Sequence, residues 1–190
     1  MLITLTLHTV FALKVYMLQQ FLSRLVSFRQ ISPKLSSDKN NDSESTDYNP
    51  ELITNLINEH KDIIEISNSI KNLAQKREWD LAQEQLKYLS KLITMHMNAE
   101  TVTLYRILEH IHTPNSLEVE MIKFIRQEMT SVGIDLINFI KKYNSIESEQ
   151  WDKRVFIYEY NKLLYTLTAR IELEENTLYP LYEILLNQKK

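Results

Sequence analysis

Four side chains stand where this sequence would otherwise bury apolar residues. His60 follows Leu56 by four residues and precedes Ile63 by three, which puts all three on one helical face. His96 and Glu100 are four apart, behind Leu89 and Leu92 and ahead of Leu104, so both side chains lie over one spot. Glu174 falls between Leu167 and Leu178 on another apolar stripe. Polar groups buried without partners are costly. Imidazoles and carboxylates converging from three facing helices are the donor set for iron, manganese or zinc. The plainer alternative is that a lone histidine on such a stripe is a hydrogen-bonded core residue, and that i, i+4 His/Glu pairs also occur on solvated faces.

The other histidines carry less. His110 and His112 sit near a helix end beside Pro114, where they oppose the helix dipole, and His8 lies in the N-terminal extension. The many tyrosines, Tyr143, Tyr160 and Tyr182 among them, are read as bundle packing with hydroxyls at the rim. No Ser/His/Asp order, nucleophile elbow or isolated pair of inward acids is present, so no enzyme is expected. The only redox chemistry available would be that of a bound metal.

These donors need long helices to hold them. The 190 residues contain one glycine, against a usage of about 7% in soluble proteins. Rossmann crossovers, phosphate-binding loops and tight β-hairpins, which need backbone at positive φ, do not fit such a chain. There is no cysteine, which removes disulfides, thiol nucleophiles and iron–sulfur clusters and is compatible with a cytoplasmic protein. The 22 basic and 25 acidic side chains are interspersed, leaving no footprint for nucleic acid.

Apolar period and punctuation predict helices over about 50–76, 79–111, 115–144 and 149–187. Asn49-Pro50-Glu51 reads as a cap, a first-turn proline and a first-turn acid; Thr113-Pro114 breaks and restarts the chain; Ser148 is placed as the cap of the last helix. Leu81 and Tyr88 are assigned inward with Leu89 and Leu108. Short connections between long helices make antiparallel neighbours, so the expected fold is all-α, an up-down-up-down four-helix bundle over 49–190. Ahead of it, residues 34–48 read as a flexible linker and 1–33 as an extension with a short amphipathic helix near 17–30. Met17 is an alternative start. The apolar run before Lys14 is too short for stable membrane insertion.

Three strings resemble the hemerythrin-like, HHE cation-binding family: Asn58-Glu59-His60-Lys61-Asp62, His96 with Glu100 followed by Leu104-Tyr105, and Arg170 with Glu174-Glu175 followed by Leu178-Tyr179-Pro180. The resemblance spans about 51–186. It implies a hemerythrin-like bundle with a non-haem di-iron centre, held by histidines and two carboxylates and used for oxygen or nitric oxide binding, iron sensing or repair. On that pattern His60 and His96 are histidine ligands and Glu100 and Glu174 the bridging carboxylates, with Glu128 as a further acidic ligand. Two positions depart from it. Met129 follows Glu128 where a histidine is expected, and Arg170 stands four residues before Glu174 in place of another. A thioether suits hard iron poorly and a guanidinium is no ligand.

The resemblance therefore implies at most one ion, a mononuclear rather than di-iron centre, or no metal with a salt-bridge network in its place. Two roles stay open: a metal-binding sensor, storage or regulatory module responding to a metal ion or small gas, and a metal-free bundle acting on a protein partner. The run Leu167–Glu175 more weakly resembles bacterial anti-sigma regulators, which gives the second role a concrete form.

Overall fold

The computed structural model describes residues 49–111 and 117–187. The extension, the linker, His8 and His112 lie outside them. The described elements are α1 (Leu52–Lys76), α2 (Trp79–Ala99), a π-helical turn (Glu100–Tyr105), α3 (Arg106–Ile111), α4 (Leu117–Asn144), a 3-10 turn (Ser148–Gln150), α5 (Lys153–Leu173), a second π-helical turn (Glu174–Leu178) and α6 (Tyr179–Asn187). No strand occurs among the described residues. The fold is an all-α, up-down-up-down four-helix bundle.

Residues Asn49–Glu172 form one compact unit. In α1 the buried positions Leu56, His60, Ile63, Ser67, Ile70 and Ala74 alternate steps of four and three. In α2 the same rhythm runs through Ala82, Leu86, Leu89, Ile93 and His96. This is the inward seam of packed antiparallel helices, and both histidines are on it. Leu81 and Tyr88 are each 49% exposed, against the inward assignment. They precede seam residues Ala82 and Leu89 by one position, about 100° around a helix, which turns them to the outside.

Local chemistry explains the helix ends. The Asn49 carboxamide oxygen accepts the Glu51 N–H at 2.9 Å, an Asx turn that leads into α1. At the end of α1, Glu78 N–H reaches Leu73 O at 3.0 Å and Arg77 N–H reaches Ala74 O at 3.2 Å. This Schellman closure puts Arg77 at φ 65°, a position glycine usually takes. Asp152, rather than Ser148, caps α5: its carboxylate accepts the N–H groups of Arg154 at 3.0 Å and Val155 at 3.1 Å. Ser148 lies in the preceding 3-10 turn, where its buried hydroxyl donates to Asp80 at the start of α2.

Cross-helix bonds set the order of neighbours. Gln83 in α2 donates to the carbonyls of Tyr143 in the last turn of α4 and of Ile146 just past it, Lys142 in α4 pairs with Glu159 in α5, and Tyr160 in α5 donates to Ser67 O in α1 at 2.8 Å. An aromatic cluster of Phe139, Tyr143, Trp151, Phe156 and Tyr160 fills the core, with Trp151 and Phe156 stacked at 4.7 Å. Tyr158 and Tyr165, by contrast, are largely exposed.

The residues from Leu173 onward fall in a second unit. Within it Glu174, Leu178, Tyr179, Leu181 and Tyr182 are buried.

Candidate metal centre

The seams of α1 and α2 bring the two histidines together. His60 and His96 are 2% and 3% exposed, their rings are tilted by 55° with centroids 4.5 Å apart, and their Nε2 atoms are 3.0 Å apart. Glu100, 1% exposed, follows one turn after His96 and places Oε2 3.6 Å from the His96 Nε2. Each of the three thus offers a donor atom to one small volume, all within 4.8 Å of one another.

Glu59, one residue before His60, sets the chemistry of this group. Its Oε2 lies 2.9 Å from His96 Nδ1. A carboxylate only accepts, so His96 carries its proton on Nδ1 and presents the Nε2 lone pair inward. That lone pair can accept an N–H from His60 Nε2 when no metal is bound. The spacing also fits a shared ion: two nitrogens each about 2.1 Å from one metal are about 3.0 Å apart when they subtend a right angle at it. Likewise a nitrogen and an oxygen at about that distance are about 3.6 Å apart at an angle near 120°. Two imidazoles, one carboxylate and a carboxylate behind His96 suit iron, zinc or manganese.

Arg170 completes the neighbourhood. It is 4% exposed, and its Nη2 donates to Glu100 Oε2 at 2.6 Å, the shortened contact of a charge-assisted bond. Beside the guanidinium on α4 lies Gly133, the chain's single glycine, buried within the helix. A Cβ added there would stand 2.2 Å from Met97 Sδ and 3.4 Å from Arg170 Nη1. The missing methyl leaves room for the Met97 side chain, in a helix interior where glycine costs about 0.5–1 kcal/mol relative to alanine.

The remaining expected residues differ in burial. Met129 is buried on α4. Glu128 beside it is only partly buried and lies outside the His60–His96–Glu100 group. Glu174 is fully buried and, like Glu100, opens a π-helical turn. Such turns widen the helix by one residue and occur often at functional sites. After Glu100 the π turn lets Leu104 and Tyr105 both face inward, before Ile107 and Leu108 resume the seam. Sequence reasoning missed Glu59 as a partner of His96; its signal was adjacency to an inward histidine. His110 donates from Nδ1 to Arg106 O at 3.0 Å on the exposed surface, away from a ligand role.

This is a cation-binding class of helical bundle, defined by buried histidine and carboxylate donors on facing helices. The chain belongs to the hemerythrin HHE cation-binding domain family, whose model matches residues 51–182. No curated protein and no solved structure matches it significantly.

Proposed function

We propose that this protein binds a single non-haem metal ion, of the iron type, and works as a sensing, storage or regulatory module rather than an enzyme. The ligands assigned are His60, His96 and Glu100, and the family pattern adds Glu174, fully buried within its own unit. The observation that carries the reading is the Nε2–Nε2 separation of 3.0 Å between two histidines, with Glu100 beside them. Membership of the cation-binding family supports it. A second ion is disfavoured because Met129 and Arg170 occupy positions where nitrogen donors would be needed, and the guanidinium repels another cation. An ion held by three or four protein donors would keep a coordination position for a small gas or anion. We place the protein in the cytoplasm from its lack of cysteine; among the described residues no helix is long and apolar enough to cross a membrane.

Metal analysis of tag-free protein, purified without chelator from iron-supplemented cells, should return about one ion per chain. The double substitution Arg170→His with Met129→His should raise this towards two and bring the near-ultraviolet absorption of an oxo-bridged pair. Two ions in the natural protein would show the ligand assignment to be wrong. No ion in either protein would favour a metal-free bundle that regulates a protein partner, in the manner of an anti-sigma factor. The buried Arg170–Glu100 pair is the observation on which that second reading rests, because it neutralises Glu100 without a metal.

A further inference from the structure

We infer that Glu59 is the positioning residue of the centre, holding the His96 ring in the one tautomer and orientation that turns its Nε2 toward His60. The inference rests on the single-ion reading above and adds to it a residue that is not itself a ligand. Consecutive residues of α1 grip one ring of α2 from both sides: Glu59 Oε2 lies 2.9 Å from His96 Nδ1, and His60 Nε2 lies 3.0 Å from His96 Nε2. The His96 side chain is 4% exposed, whereas the Glu59 side chain is 38% exposed. The carboxylate therefore approaches the buried imidazole from the solvent side, while the face toward His60 stays dry.

A neutral imidazole has one N–H and one lone pair, and the partner of one nitrogen decides which the other presents. With Glu59 accepting from Nδ1, Nε2 is a lone pair. Without it, the proton is free to sit on Nε2, where it would point at His60 and block an ion. Carboxylates behind metal-binding histidines typically account for a tenfold to hundredfold difference in affinity. The i, i+1 placement of Glu59 and His60 matters because the two residues are about 100° apart on α1. One seam residue can then face the centre while its neighbour reaches around the ring.

The test uses the full chain with histidine uniformly labelled with nitrogen-15. Ring nitrogen shifts of the metal-free protein report the His96 tautomer, and chelator competition with Co(II) reports affinity. In the natural protein His96 should be the Nδ1–H tautomer. Glu59→Ala should mix the two tautomers and weaken Co(II) binding about tenfold to hundredfold. Glu59→Gln, whose amide oxygen can still accept from Nδ1, should recover most of both. Asp62→Ala, which removes an exposed negative charge from the same helix, should change neither. An unchanged tautomer or affinity in Glu59→Ala, or an equal loss in Asp62→Ala, would overturn the positioning role. If the natural protein binds no Co(II) while Glu59→Ala still alters the tautomer, the metal reading fails and the hold of Glu59 on His96 stands.

Discussion

Replacing Arg170 by methionine keeps a long unbranched side chain and removes its charge. Glu100, 1% exposed, then loses the guanidinium 2.6 Å from its Oε2. Breaking a buried ion pair from one side costs about 3–5 kcal/mol, because the remaining charge keeps its desolvation penalty. For a chain of this size each kcal/mol is about 2–4 °C of melting temperature, so the metal-free variant should melt about 6–20 °C below the natural protein. A divalent ion bound through Glu100 supplies the missing positive charge. Saturation at a hundred times the dissociation constant stabilises by about 2.7 kcal/mol, and the variant should gain more than the natural protein, in which Arg170 competes for the same oxygen. The assay is thermal unfolding by circular dichroism after chelation, with and without Zn(II). A metal-free variant as stable as the natural protein would refute the claim that Glu100 needs a cation. Equal gains from Zn(II) in both proteins would show that the ion does not engage Glu100.

Two further perturbations probe the surroundings. Gly133→Ala removes a glycine from a helix interior, intrinsically a gain of about 0.5–1 kcal/mol. The new Cβ would fall 2.2 Å from Met97 Sδ, so the flexible end of that side chain must shift and the variant should gain less than this, whereas Met97→Ala should restore the full gain in a double-mutant cycle; additive effects would contradict the packing account. Away from the centre, Glu159 accepts bonds from Lys142 and Tyr143, each at 2.8 Å. Burial pushes its carboxyl up, but those two hydrogen bonds outweigh it and hold the group below its ordinary value. Its contribution to stability is therefore present above the unfolded carboxyl pKa of about 4.3 and lost as pH falls through the lower folded value. Glu159→Gln should lower the melting temperature at neutral pH and leave it unchanged near pH 2; a deficit that persists in acid would point to lost packing instead.

The inward placement of His60, His96 and Glu100 was legible in the sequence, since a helix face follows from spacing alone. Steps of four and three through Leu56, His60 and Ile63 leave one reading of which side is buried. The near absence of glycine likewise foreshadowed long helices, and the proline after Asn49 marked where the first begins. The same local logic failed where one residue of phase matters: Leu81 and Tyr88 turn outward, because the seam runs through Ala82 and Leu89. Spacing also gave no warning that Asp152 would cap α5 while Ser148 turned to Asp80, 68 positions away in the chain.

What spacing leaves open is which side chains meet across the core. His60 finds His96 across 36 positions, Glu59 finds it across 37, and Arg170 finds Glu100 across 70. Those contacts depend on the relative height of helices whose register is set by the packing of the whole seam. The role of Arg170 shows this best. In sequence it is a departure from a histidine pattern; in the bundle it is the cation of a buried carboxylate, beside Gly133 on a third helix. Periodicity is a property of one helix and can be read along the chain. Charge neutralisation and tautomer are properties of several helices packed together, and they exist only once the chain has folded.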